Sequence, residues 1–177
     1  MNFVGKLALT VVCAFGFAHC GGGGGGDGEG EFVGAARVDL TISPQRIDTG
    51  DRTEVRIRLS DIHENGIALK VRYPKGLDYV RGSSFIEVEN SDQDVDPTVN
   101  QGVESEIFLV YYIAPDSLGR QKQGTLFFEL EGRDSVDDGI IEVDADVDDP
   151  DINNSTEFDI ERPEFQGEQE SSIEVTE

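Results

Sequence analysis

Wherever the chain runs uninterrupted between Arg37 and Leu59, every second residue is apolar. Val38, Leu40 and Ile42 alternate with Arg37, Asp39 and Thr41, and Val55, Ile57 and Leu59 alternate with Glu54, Arg56 and Arg58. Period two is the repeat of an extended strand with one buried face, and a helix with its 3.6-residue repeat cannot satisfy it. The same alternation returns in Ile67, Leu69, Val71 and Tyr73 opposite Lys70 and Arg72, in Leu126, Phe128 and Leu130, and in Ile141, Val143, Ala145 and Val147 opposite Glu142, Asp144 and Asp146. Shorter pieces follow the same rule at Leu77–Val80, Phe85–Val88 and Phe158–Ile160. Ile107–Ile113 (IFLVYYI) is apolar on both faces, which predicts a central strand covered on both sides.

Turn chemistry separates these runs. Ser43-Pro44, Thr49-Gly50-Asp51, Asn65-Gly66 and Pro74-Lys75-Gly76 are the reversals, each carrying a residue that ends a ladder or tolerates positive φ. Glu89–Glu106 is acidic and turn-rich and reads as a long loop. No helical periodicity of useful length is present. About seven to nine short strands at regular spacing predict an all-β fold, and two antiparallel sheets face to face bury them economically. The expectation is an immunoglobulin-like antiparallel β-sandwich over residues 35–161. An acidic tail, 162–177, is expected to be too polar to pack and disordered.

The flanks speak of location. Met1–Lys6 carries a positive charge and Leu7–Ala18 is an apolar run of about 12 residues, right for a secretory leader and short for a membrane span. Residues 1–19 are therefore read as a signal peptide. Cys20 follows, then Gly21–Gly26, so that 20–34 reads as a flexible tether. Cys13 leaves with the leader, so no internal disulfide is expected.

Phe17, Ala18, His19 and Cys20 resemble the lipobox of bacterial lipoproteins. That resemblance implies lipidation (a palmitate-type anchor) at Cys20, attachment to the membrane through the N-terminal lipid, and a place in the bacterial cell envelope, with Gly21 compatible with the outer membrane. The alternative is an ordinary signal peptide cut near Gly16 or Ala18, leaving Cys20 as a free thiol. Two or three acyl chains would anchor the protein stably.

A second resemblance lies in the folded part. Tyr73-Pro74-Lys75-Gly76-Leu77-Asp78-Tyr79-Val80 with Gly82-Ser83-Ser84 is similar to a segment of the conserved-repeat Ig-like modules of bacterial surface proteins, as are Gly50–Leu59 and Asp149-Pro150-Asp151-Ile152-Asn153-Asn154. Gly50–Tyr79 is also similar to cohesin modules, which bind calcium-loaded dockerins. Both resemblances imply a non-catalytic module that binds or spaces, with a protein or envelope partner; the cohesin one implies a calcium-dependent docking module.

Charge narrows the partners. The formal net charge is −23, and Glu129–Glu177 holds 19 carboxylates against only Arg133 and Arg162. Such a surface repels phosphate backbones, so nucleic acid is not expected as a partner, and it repels anionic lipid headgroups.

Catalytic chemistry is sparse. His63 has no second histidine in the mature chain, Ser83 and Ser84 lack a nucleophile elbow, and the glycine run lacks the strand, Lys and Ser/Thr of a phosphate loop. No catalytic residue and no small-molecule substrate are expected. An envelope hydrolase using clustered carboxylates is the alternative. Calcium is the one cofactor the residues suggest: Asp144, Asp146, Asp148, Asp149, Asp151 and Asn153 concentrate oxygen donors, most densely in the turn 148–153. Two further clusters are Asp92/Asp94/Asp96 and Asp134/Asp137/Asp138. Against that stands a plain reading of all three as solvated acidic faces that discourage edge pairing.

Overall fold

The computed structural model describes residues 37–62, 66–103, 106–146 and 167–177. The expected leader, Cys20 and its tether, His63, and the short run Phe158–Ile160 lie outside the described residues.

The strands are β1 (Arg37–Ser43), β2 (Arg46–Asp48), β3 (Arg52–Ser60), β4 (Ile67–Pro74), β5 (Leu77–Tyr79), β6 (Phe85–Val88), β7 (Ser91–Asp94), β8 (Val99–Val103), β9 (Glu106–Ile113), β10 (Gly124–Gly132), β11 (Val136–Asp146) and β12 (Glu170–Thr176), with one 3-10 turn at Pro115–Leu118. They form two sheets. The first runs β1-β3-β10-β6-β7, with β5 also paired to β10; the second runs β2-β12-β11-β4-β9-β8. All pairs are antiparallel except β2 with β12. The immunoglobulin-like β-sandwich expected from the alternation is the fold.

The alternating residues meet between the sheets. Val38, Leu40, Val55, Ile57, Leu69, Val71, Leu126, Phe128, Ile141 and Val143 are all buried in one cluster. Fully burying an aliphatic side chain contributes about 1.5–3 kcal/mol, so a few such rows outweigh any surface contact. Two turns are dictated by glycine. Gly66 has φ +91° and Gly76 sits under Val136, where a Cβ would collide with the Val136 side chain. The Gly76 carbonyl accepts from Arg133 N (2.8 Å) and Asp134 N (3.2 Å), tying the β4–β5 turn to the β10–β11 connection.

Both sides of the sandwich are closed by chain that changes sheet. β1 belongs to the first sheet and β2 to the second; β7 belongs to the first and β8 to the second. Thr53 Oγ1 donates to Pro44 O (2.5 Å) at the first crossing, and Thr98 N donates to Val110 O (2.6 Å) at the second.

Two sequence expectations are corrected. The tail 162–177 is not disordered throughout: β12 lies inside the second sheet, hydrogen-bonded between β11 and β2, with Ile173 and Val175 buried in the main core. The sandwich therefore extends past residue 161. Its alternation has only two apolar members among acids, too short a signal to stand out. The long loop at Glu89–Glu106 instead contains β7 and β8. β7 (SDQD) is exposed along its whole length and is held by main-chain pairing to β6, which leaves no apolar pattern to read.

Candidate functional site

On the outer face of the first sheet, register places five strands in one row: Thr41, Arg56, Phe127, Phe85 and Asp94. Phe127 and Phe85 occupy positions that alternation reserves for polar residues. Their rings stack with centroids 4.8 Å apart and planes 12° from parallel, and the Arg56 guanidinium carbon lies 5.5 Å from the Phe127 centroid. Cross-strand aromatic pairs contribute roughly 0.2–1 kcal/mol, and cation–π contacts at open sites are of similar size. These three groups line up across the sheet as one apolar ridge capped by a cation.

Beside the ridge is a depression of about 300 Å³ lined by Glu54, Gly82, Ser83, Phe85, Phe127 and Glu129. Its shape follows from the Gly-Ser-Ser turn. Gly82 adopts φ +74°, and Ser83 Oγ donates to Val80 O (2.7 Å) and accepts from Glu129 N (2.9 Å), which staples the turn to β10. Glu54 and Glu129 face each other across β3 and β10. Arginines offset this like-charge pairing: Arg56 bonds Glu54, while Arg52 bonds Glu129 (2.9 Å) and reaches Glu131 (3.4 Å). Arg133 continues the ladder to Asp78 (2.9 Å) and Glu131 (2.8 Å).

The face is electrically divided. Arg56 and Arg58 stand on β3, while Glu87 on β6 and Asp92 and Asp94 on β7 are exposed carboxylates. On β1, Asp39 is held below the usual carboxylate range, first by the Arg37 hydrogen bond and, in smaller part, by the Glu168 amide.

Behind the depression, Ser84 Oγ sits between Tyr79 Oη (2.7 Å) and Tyr111 Oη (2.9 Å) in the interior. Burial pushes the Tyr111 and Tyr73 phenols well above their ordinary value. Among the described residues the Tyr73 hydroxyl has no hydrogen-bond partner of ordinary geometry, and a weak contact with the Tyr79 main chain opposes the upward shift. The partners of Ser83 and Ser84 here are hydroxyls and backbone, and neither serine is bonded to an imidazole or carboxylate among the described residues.

Of the calcium candidates, Asp144 and Asp146 are placed by their backbone on β11, opposite Lys70 and Ala68 of β4. Asp148, Asp149, Asp151 and Asn153 lie outside the described residues. The other two acidic clusters are not brought together: among the described residues no group of three acidic, histidine or cysteine side chains converges on a point. Asp92 and Asp94 are alternate residues of an extended strand, about 6.6 Å apart along the chain, and Asp137 and Asp138 are splayed by the β-bulge between Val136 and Gly139. Arg56, Phe85 and Phe127 were not singled out by sequence reasoning. Their signal was an aromatic on the polar side of an alternating strand, Phe127 before Phe128.

No family model and no curated protein matches the chain. Among solved structures, it is similar to the N-terminal domain of the Streptococcus gordonii adhesin Sgo0707, at 15% identity and TM-score 0.48, over 63% of this chain and 29% of that one. The T6 backbone pilin of serotype M6 Streptococcus pyogenes is similar at 8% identity and TM-score 0.47, over 80% and 36%. A non-cellulosomal cohesin from Archaeoglobus fulgidus is similar at 12% identity and TM-score 0.41, over 80% and 92%. The chain thus spans about a third of the length of the first two. Likeness of this size concerns the fold and does not transmit a task.

Proposed function

We propose that this protein is a lipid-anchored, non-catalytic module of the bacterial cell envelope that binds a protein partner through the outer face of its first sheet. The observation that carries the reading is the Arg56–Phe127–Phe85 ridge beside a shallow depression with carboxylates on its rim. Aromatic and arginine side chains on a rigid sheet supply contact area at small entropic cost, which is why they dominate binding hot spots. The rim carboxylates are each tied to arginine, an arrangement that positions charge for recognition rather than for proton transfer. Glu87, Asp92 and Asp94 beside Phe85 fit a basic partner segment with one apolar anchor.

The anchor and calcium belong to the same proposal. Cys20 carries the lipid, and the turn 148–153 binds calcium with Asp144 and Asp146 at its approach. The test of the binding face uses the mature protein and envelope fractions of its own cell. Saturable binding that falls roughly tenfold on Phe127→Ala, weakens with salt, and is unmoved by Thr41→Ala supports the proposal. Binding indifferent to Phe127 and Phe85 sinks it. Labelling with palmitate that disappears on Cys20→Ala, with release into the soluble fraction, tests the anchor separately.

A further inference from the structure

The second sheet has an outer face that is covered where an outer face should be wet. On β4 and β9, residues Ala68, Lys70, Phe108 and Val110 point away from the core, yet their exposures are only 3%, 4%, 7% and 3%; Glu142 of β11, beside Arg72, is 7% exposed. Ala68 and Val110 form a small apolar cluster of their own, separate from the main core. On the same face Tyr112, opposite Ala68, is 55% exposed, and Ile140, two residues before Glu142, is 49% exposed. The covered strip is therefore narrow. It comprises the row Glu142–Arg72–Phe108, the pair Lys70–Val110 and Ala68 of the next row. Successive rows lie about 6.6 Å apart, so the strip is roughly the width of one chain crossing the strands. Among the described residues no strand or helix lies on this face.

We propose that the strip is a docking track for the chain's own acidic segment, residues 147–166. Three observations favour this occupant. The first is length and position. The segment leaves the sheet at Asp146, whose register partner is Ala68, and the chain is back in place where Val143 N donates to Gln169 O (2.9 Å) and Leu40 N to Glu168 O (2.7 Å). Adjacent antiparallel strands need about 2–5 residues to connect, and here twenty stand in the segment alone. Crossing from β11 over β4 to β9 is about 10 Å, which an extended chain covers in three or four residues.

The second is charge. Arg72 is ion-paired with Glu142, and the charge that remains is that of Lys70, a residue 4% exposed that needs a counter-charge and is not without a partner. The segment carries seven carboxylates against Arg162. The third is apolar content: Ile152, Phe158, Ile160 and Phe165 supply what Phe108, Val110 and Ala68 require.

The experiment uses the mature full-length protein and an endoprotease specific for glutamate, followed by mass spectrometry. Cleavage after Glu157, Glu161 and Glu164 is expected to be slow in the wild type and to rise roughly tenfold in Val110→Asp, with Tyr112→Ala unchanged and the thermal transition still cooperative. In parallel, zero-length carbodiimide coupling of the wild type, which needs no variant to fold, is expected to join Lys70 to a carboxylate of 148–164 within one chain. Equal cleavage rates in wild type and a folded Val110→Asp overturn the proposal. So does coupling of Lys70 only to Asp144 or to a second copy, which would make the strip an ordinary sheet face or an interface between copies.

Discussion

Tyr73 and Tyr111 are both buried tyrosines, one on β4 and one on β9, but their hydroxyls differ in kind. The Tyr111 hydroxyl closes a chain with Ser84 and Tyr79, whereas the Tyr73 hydroxyl is buried with no partner of ordinary geometry among the described residues. A lost partner in a buried network costs about 1–3 kcal/mol, while removing a group that has none is neutral or stabilising. Ser84→Ala is therefore expected to lower stability by about 1–3 kcal/mol, and Tyr73→Phe to leave it unchanged or raise it, as read by urea denaturation. Destabilisation by Tyr73→Phe equal to that of Ser84→Ala would mean the Tyr73 hydroxyl is bonded after all. The same burial gives a pH signature. Both phenols have folded values raised above the ordinary 10.0, so the stability they confer is complete below pH 10 and is lost as pH rises beyond it, when the unfolded chain ionises first. Absorbance titration should show Tyr73 and Tyr111 ionising only together with unfolding, and Tyr111→Phe should flatten the alkaline decline. Smooth titration of all four tyrosines before unfolding would contradict this.

β12 is the element on which sequence and structure differ most, and it has its own prediction. It fills the gap between β11 and β2 and packs Ile173 and Val175 against the core. Ile173→Ala is expected to cost about 2–5 kcal/mol, and deleting 167–177 should abolish the cooperative melt. A disordered tail would tolerate both. Asp39 secures the approach to this strand, accepting from Arg37 and from the Glu168 amide (3.2 Å). Its folded value is lowered below 3.8, so its contribution is present above that pH and is lost as pH falls through the lowered value. Asp39→Asn should therefore lower the melting midpoint slightly at pH 7, with the gap to wild type closing below pH 3.8; a gap that persists there would assign the loss to packing. Elements with long alternation were legible: β1, β3, β4, β10 and β11 stand where their apolar residues put them. β9, expected to be covered on both sides, has Phe108 and Val110 buried on its outer side but Tyr112 exposed there. β2, β7 and β12 were not legible, because three or four paired residues, or two apolar ones among acids, are decided by neighbours far along the chain. The parallel β2–β12 pair joins positions more than 120 residues apart.

At the scale of the whole molecule, charge was legible and its arrangement was not. A count gives −23, but only the register shows Arg52 of β3 laddered to Glu129 and Glu131 of β10, with an aromatic ridge beside them. Ion pairs on an open surface contribute about 0–1 kcal/mol each, so the arginines cannot by themselves offset the self-repulsion of the excess acid. That excess is concentrated after Glu129, and a divalent cation held by residues 148–153, as proposed, would relieve it where it is densest. Any ion screens, but only a liganded one binds the folded state selectively, and selective binding raises stability by about 2.7 kcal/mol at a hundredfold excess over Kd. The expected result, with ionic strength matched, is a higher melting midpoint in millimolar calcium than in magnesium or EGTA. Replacing Asp148, Asp149 and Asp151 together by asparagine should abolish the calcium-specific part and leave the response to sodium chloride intact. Equal midpoints in calcium and magnesium would instead make the acidic turn a solvated surface whose charge serves solubility, and the protein's stability would then rest on the sandwich core alone.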